Sequence, residues 1–118
     1  MVELKTEMTP LRLVLGKSKS VELMVQIKND SEKKRFVSCD IVLNNELSFE
    51  KQGMSNARNI RLGEMLPGEK NLKYFQIYPR VNIEKGEQPI FVSVIEHFEN
   101  NYDYILSKKT KQLTLVVE

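Results

Sequence analysis

An all-β antiparallel sandwich is the fold class that this sequence predicts, and three observations carry the prediction. Apolar and polar residues alternate with period 2 in several separate runs. Clusters of Asn, Asp, Ser, Gly and Pro fall between those runs, and no run shows the 3.6-residue apolar period of an amphipathic helix. Period 2 sends successive side chains to opposite faces of a sheet, so each run describes a strand with one face on a core.

The elements follow in order. Leu11 to Leu15 is read as a first strand ending at Gly16. Ser20 to Lys28 alternates best, with Val21, Leu23, Val25 and Ile27 on one face and Glu22, Met24, Gln26 and Lys28 on the other. Asn29-Asp30-Ser31-Glu32 ends it, because these side chains bond their own backbone and stop a ladder. Arg35 to Leu43 places Val37, Cys39, Ile41 and Leu43 on one face and Phe36, Ser38, Asp40 and Val42 on the other. A brief pairing is expected around Leu47 and Phe49, and a further strand around Ile60 and Leu62.

Leu66-Pro67-Gly68-Glu69 has Pro and Gly at the centre of a turn, and the sequence predicts a hairpin there leading into Leu72 to Tyr78. The apolar phase slips between Leu72/Tyr74 and Phe75/Ile77, which predicts a β-bulge. Pro79 to Gln88 reads as a polar connection, Ile90 to Ile95 as a central strand, and Glu99 to Asp103 as a turn. Gln112 to Val117 closes the chain with Leu113, Leu115 and Val117 on one face. About seven strands separated in this way are the pattern of an immunoglobulin-like sandwich, with a closed barrel as the structural alternative.

Composition sets further bounds. Hydrophobic residues make up 41% and charged residues 29% of the chain, enough apolar material for one core, so a single domain spanning 1–118 is expected. Eighteen Lys and Arg against 16 Asp and Glu leave a formal charge of +2, which argues against a dedicated nucleic-acid binder. The lone cysteine, Cys39, excludes an internal disulfide and reads as a small buried hydrophobe. No stretch is apolar enough for a membrane span or a signal peptide. With Met1 as the native start the expected location is cytoplasmic; for a fragment of a longer exported chain it is extracytoplasmic.

Chemistry needs converging reactive groups, and few are present. His97 and Cys39 are the only members of their types, and their strand phases send them to opposite faces, so no nucleophilic pair forms and His97 reads as dispensable. The acids are scattered among lysines without metal-loop spacing, and the five glycines stand singly at turns. The expectation is a non-enzymatic protein with no catalytic residues, no metal site, no cofactor and no evident small-molecule substrate.

Two surfaces are candidates for binding. With Val37, Cys39, Ile41, Ile90, Val92 and Val94 facing the core, Phe36, Val42, Phe91 and Ile95 face outward from the same sheet, an apolar patch suited to a protein partner or to self-association. Lys33, Lys34 and Arg35 in one loop, with Tyr102, Tyr104, Lys108 and Lys109 in another at the same end of the sandwich, form the alternative, a tip for an anionic ligand such as a nucleic acid or sugar polymer. Asp30, Glu32, Glu99 and Asp103 oppose that charge. The leading reading is an interaction or structural module that pairs through the outer sheet face.

A family resemblance fits this frame. Gly16-Lys17-Ser18 before the Val21–Asn29 run, Leu62-Gly63-Glu64-Met65-Leu66-Pro67-Gly68-Glu69, and Gly86 ahead of Ile90-Phe91-Val92-Ser93-Val94 resemble CARDB-type and related immunoglobulin-like domains of archaea and bacteria. The resemblance implies an adhesion or scaffold module and brings no catalytic residues.

Overall fold

The structure, a computed structural model, describes residues 2–98 and 100–118. Nine strands run in chain order as β1 (Val2–Thr9), β2 (Arg12–Leu13), β3 (Val21–Asn29), β4 (Arg35–Leu43), β5 (Leu47–Ser48), β6 (Ala57–Met65), β7 (Lys70–Pro79), β8 (Gly86–His97) and β9 (Ile105–Val117). They form two sheets in the orders β1-β3-β7-β5 and β2-β9-β8-β4-β6. No helix occurs among the described residues, and none is long and apolar enough to cross a membrane. This is an immunoglobulin-like sandwich, as the alternation predicts.

Pleat decides what lies between the sheets. Val21, Leu23, Val25 and Ile27 of β3 face Val37, Cys39 and Ile41 of β4 and Ile90, Val92 and Val94 of β8 across the core, and all are buried. Burial and the neighbouring Asp40 charge push the Cys39 thiol up to about 12, so it carries almost no thiolate at neutral pH. Maleimide is expected to label Cys39 only after denaturation; fast labelling of the native protein would contradict its core position.

At one end of the sandwich Asn29 joins the sheets. Its side chain is fully buried and donates to the Met65 carbonyl and the Lys33 carbonyl, both at 2.8 Å. Its Oδ1 accepts from the Ser31 amide at 3.1 Å, an Asx turn that ends β3 where the sequence predicts. At the opposite end a carboxylate clamp holds the loop between β5 and β6. Glu50 accepts from Arg58 at 2.8 Å, the Ser55 amide at 3.0 Å and Ser48 at 3.2 Å, while Arg58 lies 4.7 Å over the Phe49 ring.

Hydrogen bonds from Ser55 and Arg58 hold the Glu50 carboxyl down to about 2, against an ordinary value of 4.5. A folded-state pKa below the unfolded one gives stability that is present above about pH 4.5 and is lost as pH falls toward about 2. Acid titration of the melting temperature is therefore expected to fall less steeply for Glu50→Gln than for the native chain across that window. Parallel curves would show that the clamp adds nothing.

Three expectations need correction. The Leu66–Glu69 turn forms, with Gly68 at φ 80° and the Glu69 amide donating to the Leu66 carbonyl at 3.0 Å, but it is no hairpin. β6 pairs with β4 and β7 pairs with β3, so the turn carries the chain from one sheet to the other. The bulge expected in Leu72–Tyr78 is absent: β3 and β7 pair without a register shift from Val21↔Ile77 to Lys28↔Lys70, and Leu72 and Tyr74 simply point to solvent. Bulges occur instead where β6 meets β4, at Leu62-Gly63, and where β9 meets β8, at Leu106. The first strand is β1, and the Leu11–Leu15 run contributes only Arg12 and Leu13, which pair in parallel with Val116 and Val117.

Candidate functional site

The β8–β9 hairpin and the loop at its end place the groups of interest. Phe98 donates its amide to the Tyr104 carbonyl at 3.0 Å and so extends the hairpin beyond His97. Residues 100–103 fold back over the outer face of the second sheet, and Tyr102 reaches across β4 to β6. The Tyr102 ring stands 4.5 Å from Phe36, 5.1 Å from His97 and 4.5 Å from the Arg61 guanidinium.

Its hydroxyl accepts the Gly63 amide at 3.1 Å. Gly63 sits at φ 71° in the β4–β6 bulge, a conformation that suits glycine, and the bulge turns that amide away from the ladder. Asn100 donates to Glu64 at 3.0 Å and ties the same loop down a second time.

Under this aromatic cover lies a Ser–His pair that sequence reading missed. Ser38 Oγ and His97 Nε2 are 2.7 Å apart, and His97 Nδ1 is 3.2 Å from the Tyr104 carbonyl. A carbonyl only accepts, so in the neutral ring Nδ1 carries the proton and Nε2 accepts from the Ser38 hydroxyl. That orientation matches a nucleophile and its base, but both residues are buried, and Phe36 and Tyr102 close over the ring. Two clefts among the described residues lie elsewhere, one between β1 and β9 and the other beside Arg80. The signal for the pair was phase: Phe36, Ser38 and His97 share one face, and Phe36 stands opposite His97 in register. His97 is a packed, bonded residue of the sheet's outer face.

The outer-face patch survives only in part. Val42 and Phe91 stand directly opposite each other and remain exposed, at 44% and 39%. Phe36 is half covered by Tyr102. Ile95 shares the face but is only 5% exposed, in an inner strand between Ser38 of β4 and Lys108 of β9. The four do not make one open surface, because a loop distant in sequence lies over one end of it.

The basic tip is corrected too. The β3–β4 loop and the β8–β9 loop do share one end, where Arg35 is 3.5 Å from Glu96 and Phe36 meets Tyr102. Lys33 and Lys34 are exposed there, and so is Tyr104, whereas Tyr102 is committed to the cluster just described. Lys108 and Lys109 are not in that loop: they belong to β9, opposite Ile95 and Val94. Glu99, counted against the tip's charge, lies outside the described residues.

A surface that sequence reading missed stands at the same end. Phe98, Tyr104, Ile105 and Leu106 are adjacent across the end of the hairpin and each is between 49% and 60% exposed. Ile105 and Leu106 precede the run at Gln112–Val117 that marked the last strand, and alternation alone gave them no face. Among the described residues no group of three or more His, Cys, Asp or Glu is arranged to hold a metal ion.

No family model matches the chain, and no curated protein matches it by sequence. Solved structures do match in shape. A fragment of Escherichia coli α2-macroglobulin from domain MG7 to the C-terminus superimposes with a TM-score of 0.68 at 14% identity, over 100% of this chain and 16% of that one. AvmM, whose structure is described as catalysing macrocyclisation in alchivemycin A biosynthesis, matches at 0.64 and 9% identity over 98% of this chain and 88% of its own. Self-complemented MyfA, the major subunit of Myf fimbriae of Yersinia enterocolitica, matches at 0.52 and 17% identity over 100% and 98%. This chain thus spans about one sixth of the macroglobulin fragment, at 16%. Identities this low establish a shared immunoglobulin-like fold, which serves a macroglobulin segment, an enzyme and a fimbrial subunit alike.

Proposed function

We propose that this protein is a non-enzymatic interaction module that associates through the end of its β8–β9 hairpin. The observation that carries the reading is the exposure of four large side chains, Phe98, Tyr104, Ile105 and Leu106, at neighbouring backbone positions of that end. Large apolar groups gathered at one exposed end mark contact sites, and aromatic residues dominate the binding energy of such sites. A second copy is the simplest occupant, because an isologous contact sets the same patch against itself. The burial of the Ser38–His97 pair under Phe36 and Tyr102 supports the non-enzymatic reading. The fimbrial-subunit and macroglobulin likenesses, and the resemblance to CARDB-type domains, are analogies in the same direction.

Sedimentation velocity at rising concentration tests this. The native chain is expected to associate reversibly, and Ile105→Lys with Leu106→Lys to remain folded and to weaken association at least tenfold, since each charge would be buried unpaired at the contact. A native chain that stays monomeric, or a double variant that associates unchanged, rules out the hairpin end as a self-association site. Association that disappears with added salt instead would favour the anionic-ligand reading and its exposed Lys33 and Lys34.

A further inference from the structure

The two sheets close unevenly. In β9 the core-facing row is Ser107, Lys109, Lys111, Leu113, Leu115 and Val117, the positions opposite Glu96, Val94, Val92, Ile90, Gln88 and Gly86. Leu115 and Val117 are buried, whereas Lys109 and Lys111 occupy inward positions and stay exposed. They do so because a cleft of about 490 Å³ opens there between β9 and β1, lined by Val2, Glu3, Leu4, Lys5, Lys109, Thr110 and Lys111. Its apolar floor comes from the inward row of β1, where Val2 is buried and Leu4 half-buried.

The backbone beside this cleft is also unpaired. β8 occupies one edge of β9, and β2 reaches only Val116 and Val117 on the other, which leaves Ile105 to Leu115 without a neighbouring strand on that side among the described residues. An extended peptide laid along this edge would gain main-chain hydrogen bonds and set alternate side chains over the cleft.

Charge sets the β9 edge apart from those of β1 and β6 and selects its occupant; the outer edge of β7, free from Lys70 to Ile77 among the described residues, also carries lysines without a carboxylate, but the cleft lies beside β9. β9 carries Lys108, Lys109 and Lys111 and no carboxylate, whereas β1 alternates Glu3, Lys5 and Glu7. On the outer edge of β6, Arg58 is held by Glu50, Arg61 covers Tyr102, and the bulge at Gly63 interrupts the edge. We infer that the β9 edge between Ser107 and Leu113, with the β1–β9 cleft beneath it, is a docking site for an extended acidic segment of a partner protein, taken up as an added strand. Inward lysines also protect an edge from indiscriminate pairing, and here they would admit a strand that carries the opposite charge. This site is separate from the apolar hairpin end and does not depend on it.

The test uses the full chain, isotopically labelled, with acetyl-(Val-Glu)4-amide as probe, and with (Val-Lys)4 and a twelve-residue oligothymidylate as comparison ligands. Saturable shifts are expected at residues 107–113 with the acidic peptide, together with at least tenfold slower amide exchange at alternate residues there. Lys109→Glu with Lys111→Glu should weaken binding at least tenfold while leaving the melting temperature unchanged, Lys109→Ala with Lys111→Ala should weaken it less, and Ile105→Lys should leave it intact. Absence of binding, binding without slowed exchange, equal binding of (Val-Lys)4, or preference for the oligonucleotide would each overturn the inference. Loss of peptide binding in Ile105→Lys alone would instead place the peptide at the hairpin end.

Discussion

Asn29→Ala is expected to destabilise the fold by about 2–4 kcal/mol, read as a drop in the urea midpoint at unchanged slope. The Asn29 side chain is fully buried and bonds two segments: the following loop, through the Ser31 amide and the Lys33 carbonyl, and the end of β6, through the Met65 carbonyl. β6 belongs to the other sheet, so the amide joins the two layers where no disulfide does. The Asn29 main chain adds to this junction, since its amide donates to Glu69 at 2.9 Å and its carbonyl accepts from Gly68 at 2.7 Å. Truncation strands the Met65 carbonyl without its donor, and the cost of an unmet buried group exceeds the net value of the bond itself. Asn29→Asp is the sharper variant. It keeps the acceptor for the Ser31 amide, removes both donors and sets a carboxylate against two carbonyl oxygens, so it is expected to be at least as damaging as Ala. A mild effect of both variants would show that water replaces the amide and that the junction is held by packing alone.

Ile41→Ala is expected to cost about 2–5 kcal/mol, more than Val92→Ala at about 1–3 kcal/mol. Ile41 is fully buried in β4, which is flanked on both sides, by β6 at Arg58 and by β8 at Val92. A residue between two paired neighbours and an opposing sheet cannot be replaced by local collapse, so the lost carbons leave a cavity. Thermal or chemical unfolding of both variants checks the order as well as the size. Equal, small losses would place this part of β4 in a loosely packed region and contradict the core.

The sequence was most legible where one strand face is fully covered. In β3, β4 and the middle of β8 the inward row is unbroken Val, Leu, Ile and Cys, and every one of those positions is buried. β1 was overlooked because its inward row, Val2, Leu4, Thr6 and Met8, is interrupted by Thr6 and sits among charges, as befits an edge strand with one open side. The front half of β9 looked like a loop for a related reason: Lys109 and Lys111 hold core-facing positions that no opposing strand covers. Alternation reports burial, and it fades where burial does.

The misread hairpin has a different cause. Leu66–Glu69 satisfies the same local turn chemistry whether the chain returns in its own sheet or crosses to the other, and only the long-range pairings of β6 with β4 and β7 with β3 decide. The outer-face patch failed in the same way. Strand phase correctly sent Phe36 and Ile95 outward, but the Tyr102 loop that covers Phe36 comes from more than sixty residues further along the chain, beyond any local pattern. The Ser38–His97 pair needed both the phase and the register to be seen.

The measurement that bears most directly on the interaction reading is residue-resolved: amide and side-chain NMR signals of the labelled chain followed as its concentration rises. The account predicts that signals of Phe98, Tyr104, Ile105 and Leu106 shift or broaden first, while Val42 and Phe91 stay fixed. Changes confined to Val42 and Phe91, or a spectrum that does not alter with concentration at all, would contradict it.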